Sequence, residues 1–135
     1  MKITVQTHVA APIAVVWRCF NNPDDIVQWD ASDAWHTIWA SNDLTVGGKL
    51  QLRIEARDKS SGFDFVATYA QIQMDRLIEF IAQDGTTVTL QFTEMDAGVM
   101  IRQTFDAAPQ PTQAQQRAEW LSVLHRFARY AERQG

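Results

Sequence analysis

The chain is short of several things, and each shortage closes off a class of protein. Its 135 residues contain one cysteine, Cys19, so no intramolecular disulfide framework is available to it. Three histidines, His8, His36 and His125, are scattered without metal-ligand spacing and lack a second cysteine, which argues against a zinc site. Basic charge is in deficit: 12 Lys and Arg stand against 16 Asp and Glu, for a net charge of −4. A nucleic-acid partner needs a basic stripe, and none is visible. No apolar run approaches membrane-spanning length. The opening MKITVQTHV lacks the apolar core of a signal peptide, so a reducing cytoplasm is the default location. No Gly-x-Ser-x-Gly elbow is present, and Gly47-Gly48 lacks the spacing and following helix of a phosphate loop.

What is present is a folded composition, 46% hydrophobic and 21% charged, at a length that suits one domain spanning 1–135. Residues 2–9 place Ile3, Val5, Thr7 and Val9 on one side of a strand. Pro12 then opens a helix whose Ile13, Val16, Trp17 and Phe20 form one apolar face. Asn22-Pro23-Asp24-Asp25 reads as a second helix start, with an N-cap, a first-turn proline and acids suited to the helix dipole. It runs into Trp29.

From residue 35 to 105 the periodicity is that of strands. Leu50, Leu52, Ile54 and Ala56 alternate with polar neighbours, as do Phe63, Phe65, Ala67 and Tyr69. Asp84-Gly85 joins strands around 77–82 and 88–93, and Asp96-Ala97-Gly98 turns into a last strand over 99–105. Consecutive hairpins predict an antiparallel meander with one apolar face to cover. The cover is a long amphipathic helix. Thr112 and Gln115 resemble a capping box, Trp120, Leu121, Leu124, Phe127, Ala128 and Ala131 fall on one side, and Ser122, Arg126, Arg129 and Arg133 on the other.

The segment 29–39, WDASDAWHTIW, concentrates three of five tryptophans with Asp30, Asp33 and His36. In a regular strand Trp35, Thr37 and Trp39 share a face, and His36 and Ile38 share the other. The rings either plug the core or line a cavity. An Asp33–His36 pair would make a general base with an orienting carboxylate if the loop brought the two together. Gln103 faces inward with Ile101 and Phe105, and Tyr69 with Phe65, so either supplies a polar anchor or simply bonds to its neighbours.

The segments APIAVVW, NNPDDIVQW, ASDAWH, NDLTVGGKLQLRIEARD, GFDFVATYAQI, DRLIEF, GTTVTLQF and QRAEWLSVLHRFARYAE resemble, in order and over essentially the whole chain, the START-like helix-grip superfamily. The similarity is to its group named after the activator of Hsp90 ATPase, often labelled polyketide-cyclase-like. Two positions depart from the group: Glu119 precedes Trp120 where a glycine is usual, and Thr37-Ile38 replaces a Cys-Pro step. The resemblance implies an α+β helix-grip fold, a curved antiparallel sheet wrapped around the C-terminal helix with two short helices after the first strand. It also implies a cavity between sheet and helix for a small hydrophobic or amphipathic ligand. Trp29, Trp35, Trp39, Leu52, Phe65, Tyr69, Phe80, Leu90, Gln103, Trp120 and Leu124 are the expected lining. No cofactor or metal is expected. Two other roles stand beside binding: an enzyme of cyclase or hydrolase type working through Asp33 and His36, and contact with an Hsp90-type chaperone, ranked last because such co-chaperones carry a further domain.

Overall fold

A computed structural model describes residues 1–134. Strand β1 (Lys2–Val9) is followed by helices α1 (Ile13–Asn21) and α2 (Pro23–Trp29). Six strands come next: β2 (Trp35–Asn42), β3 (Lys49–Ala56), β4 (Gly62–Gln73), β5 (Leu77–Ala82), β6 (Thr87–Met95) and β7 (Gly98–Asp106). Helix α3 (Gln113–Gln134) closes the chain. The strands form one curled antiparallel sheet in the order β1-β7-β6-β5-β4-β3-β2. Helices α1 and α2 carry the chain from β1 at one edge to β2 at the other, and the meander then brings β7 back beside β1.

Local chemistry accounts for the element ends. Asn22 caps α2, its Oδ1 accepting from the Asp24 N–H at 3.1 Å, with Pro23 in the first turn. Thr112 and Gln115 make the reciprocal bonds of a capping box ahead of α3. Gln116 then ties the helix to the segment before it. Its amide accepts from the Ala108 N–H and donates to the Ala108 and Pro111 carbonyls.

The register shows which side chains share the covered face. Phe105 pairs with Ile3 and Val88, Val88 with Phe80, and Phe80 with Tyr69. Directly opposed residues lie on one face of a sheet, and Trp120 of α3 stacks on Phe105. That face is therefore the concave one. Val9, Val16, Cys19, Leu90, Val99, Ile101, Phe105, Phe127 and Ala131 are sealed from solvent there. α3 lies along β1 and touches both short helices.

Two bulges shift the phase of the strands. In β4 the register slips between Tyr69 and Gln71, after which Ile72 faces inward opposite Ile78. In β2 it slips between Thr37 and Trp39, where Ile38 is the extra residue. The second slip corrects the expected alternation. Thr37 pairs with Ile54 on the concave face, but Trp39 pairs with Arg53 on the convex one and is 52% exposed. One inserted residue exchanges the faces beyond it. Trp39 therefore stands apart from Trp35 and from the concave lining in which it was expected.

Candidate functional site

The start of β2, the end of β3 and the start of β4 meet at one end of the concave face, and that end is incompletely covered. Trp35, opposite Ala56, retains 36% exposure, and Phe63, opposite Ile54, retains 47%. The two rings meet edge to face at 5.5 Å. Ile54, opposite Phe63, and Phe65 are half-buried against the core, as are Trp120 and Leu121 of α3. Deeper in, Leu52, Phe80, Leu90 and Leu124 are buried. These residues form an apolar surface whose aromatic edge, Trp35 and Phe63, is left uncovered.

The two inner-face polar residues behave differently. The Tyr69 hydroxyl donates to Asn42 Oδ1 at 2.6 Å, and Asn42 in turn donates to the Asn21 carbonyl at 2.8 Å. Burial pushes the Tyr69 phenol up to about 12, so it remains a neutral donor committed to holding β4, β2 and α1 together. Gln103 sits between Val5 and Leu90 on the inner face, half-buried, and its side chain has no hydrogen-bond partner among the described residues. No buried polar side-chain atom among those residues is left unbonded, so the Gln103 head is reached by solvent.

A further polar pair lies where α2 meets β2. Thr37 Oγ1 donates to Asp30 Oδ2 at 2.8 Å, and the Thr37 N–H donates to the Asp30 carbonyl. Burial raises the Asp30 carboxyl above its ordinary value, with the Thr37 bond opposing it.

The Asp33–His36 pair does not form. Asp33 is fully exposed, and its carboxylate is bound by Arg126 of α3 at 2.8 Å. His36 pairs with Glu55 on the convex face, across the sheet from Trp35 and Thr37. The loop is short, and its bridge from Ala31 to His36 fixes the histidine outward.

Trp29 is held on several sides, Phe20 packing on its ring at 5.2 Å. Its Nε1 donates to the Cys19 carbonyl at 2.8 Å, and its ring packs edge-on against Phe127 at 4.9 Å. On its outer side opens a cleft of about 530 Å³ between the end of α2, the following loop and α3. Arg57, Arg126, Arg129 and Arg133 line it together with Asp33 and Tyr130. The sequence places Arg126, Arg129 and Arg133 on the side of α3 away from its apolar stripe, at i, i+3, i+7, and only the fold brings Arg57, just past β3, to join them. Among the described residues, no group of three or more His, Cys, Asp or Glu side chains is placed to hold a metal ion. No helix is long and apolar enough to cross a membrane.

The profile of the family described as Activator of Hsp90 ATPase homolog 1-like protein matches residues 10–132. The chain belongs to this family. Among solved structures, the AHSA1-like protein from Aeromonas hydrophila is 39% identical, with a TM-score of 0.91 over 100% of this chain and 94% of that one. Chr148 from Cytophaga hutchinsonii is 36% identical, with a TM-score of 0.85 over 98% and 93%. CV1439 from Chromobacterium violaceum shares the fold, with a TM-score of 0.86 at 18% identity over 98% of each chain. No curated protein matches. The AHSA1-like fold accounts for the helix-grip arrangement expected from the sequence, down to the two short helices after β1.

Proposed function

We propose that this AHSA1-like chain is a binding module that holds a small hydrophobic or amphipathic molecule in the groove between α3 and the concave face. One observation carries the reading: Trp35 and Phe63, on the face that should be sealed, are 36% and 47% exposed. Uncovered apolar surface costs about 25 cal/mol per Å², so a ligand covering roughly 200 Å² of this lip gains on the order of 5 kcal/mol there alone. Micromolar binding needs about 8 kcal/mol, which leaves the remainder to the half-buried Phe65, Ile54 and Trp120. Gln103, reachable and unpartnered, suits the polar end of such a molecule.

Titration of the chain with a lipophilic fluorophore and a medium-chain fatty acid, followed by tryptophan fluorescence, tests the reading. Saturable binding that is lost in Phe63→Arg supports it. Absence of saturable binding to any lipophilic probe ends it. Gln103→Leu then reports on the polar end, shifting preference from the acid toward wholly apolar probes.

The family's description carries a second reading, contact with an Hsp90-type ATPase. Stimulation of such an ATPase by the purified chain measures it directly. Catalysis finds no support in the Asp33–His36 pair, whose members lie apart.

A further inference from the structure

We propose that the arginine-lined cleft beside α3 is a second site, distinct from the groove, which binds a small molecule through a phosphate or carboxylate group. The chain is acidic overall, at −4, yet four of its 12 basic residues converge on one cleft. Against them the lining offers a single carboxylate, Asp33, so the cleft carries a local excess of positive charge.

The helix dipole accounts for Arg133 in the last turn but not for Arg126 and Arg129 further back. Arg126, Arg129 and Arg133 lie one and two turns apart on the same face, where like charges repel. The acid nearest to them along the helix, Glu132, is engaged elsewhere, its Oε2 accepting from the Ala10 N–H at 2.9 Å. Arg129 and Arg133 have no carboxylate partner among the described residues. Arg57 is aimed by its own bond, Nε donating to the Ser32 carbonyl at 2.9 Å.

The cleft already shows how an anion sits in it. Asp33, fully exposed on its loop, lays its carboxylate on Arg126 at 2.8 Å. An exposed ion pair of this kind is weak and readily exchanged, so an incoming oxyanion displaces Asp33 and takes Arg126 with Arg129. Guanidinium groups suit that role because their planar fork binds carboxylate and phosphate through two parallel bonds and never loses its charge. The volume of about 530 Å³ admits a small molecule bearing the anion. Tyr130 donates its hydroxyl to Asp25 and so serves as wall rather than as a donor to the guest.

The test is an NMR titration of ¹⁵N-labelled protein, reading the Trp29 indole and arginine side-chain signals. Inorganic phosphate and citrate form the two arms, with sodium chloride at matched ionic strength as reference. Saturable shifts centred on Trp29, Arg126 and Arg129, beyond those from chloride, are expected. The double variant R129Q/R133Q should weaken phosphate binding about tenfold, the loss expected when charge-assisted bonds are removed. Asp33→Asn should tighten it about threefold by removing the resident competitor. Both variants alter exposed side chains, and an otherwise unchanged spectrum shows that each is folded. Shifts that merely follow chloride, or phosphate binding unchanged in R129Q/R133Q, overturn the proposal. So does sedimentation with anionic phospholipid vesicles without any response to soluble phosphate, which would make the patch a membrane contact instead. Loss of fatty-acid binding in Phe63→Arg with phosphate binding intact separates this site from the groove.

Discussion

Trp120 lies flat on Phe105, the ring centroids 3.9 Å apart and the planes 11° from parallel. Every other aromatic contact among the described residues is tilted or edge-on, including Trp29 with Phe127 and Phe20 with Phe92. This stack joins the amino-terminal half of α3 to β7. Truncation by Trp120→Ala should cost about 3 kcal/mol, toward the lower end for a large aromatic because its own ring is only half-buried. Trp120→Phe should keep most of the stability. Urea unfolding followed by circular dichroism measures both.

Gly98 and Gly85 look alike in sequence, each closing a hairpin turn, yet they should respond differently to alanine. Both have positive φ, +136° and +89°. A Cβ on Gly98 would sit 2.0 Å from the Val9 carbonyl oxygen, a backbone atom that cannot yield, whereas one on Gly85 meets nothing within 4 Å. Gly85→Ala should cost only about 1 kcal/mol of backbone strain. Gly98→Ala should cost more than about 3 kcal/mol, because β1 must move away from β7. Thermal denaturation of the two variants side by side decides it.

Asp30 sets a pH dependence whose sign is fixed by its raised carboxyl. Between the ordinary value of 3.8 and the higher folded value, the folded chain binds more protons than the unfolded one, so this group's contribution to stability falls as pH rises. Asp30→Asn retains an acceptor for Thr37 and removes the charge. The melting temperatures of the two proteins should differ little at about pH 3. The variant should then gain in melting temperature toward about pH 7. A wild-type advantage that grows with pH would show that the half-buried carboxylate is stabilising.

Gln116 is buried and makes three bonds to backbone groups of residues 108 and 111. Gln116→Ala orphans the Ala108 N–H and two carbonyls. The expected loss is about 2–3 kcal/mol, several times that of Thr112→Ala at the exposed cap. Hydrogen exchange should show the first two turns of α3 opening before the rest of the helix.

Much of the architecture was legible in residues close together along the chain. Asn22-Pro23, Thr112 with Gln115, and Asp84-Gly85 mark boundaries because a cap or a turn is decided within about four residues. The alternation of Leu50 to Ala56 and the stripe from Trp120 to Ala131 named the buried faces for the same reason. Tyr69 and Gln103 were recognised as inward-facing, but their roles were not, since Tyr69 depends on Asn42, distant in sequence by 27 positions.

The sequence by itself thus determined the order of elements, their ends and the apolar side of each, all of which follow from short-range periodicity and capping. Tertiary structure decided the rest. The bulge at Ile38 turned Trp39 away from Trp35, Arg126 reached across 93 positions to take Asp33 from His36, and Arg57 joined the α3 arginines at one cleft. Those outcomes depend on strand register and on where a helix lands on a sheet. Such distances are set by the packing of the whole core, which no stretch of the chain encodes alone.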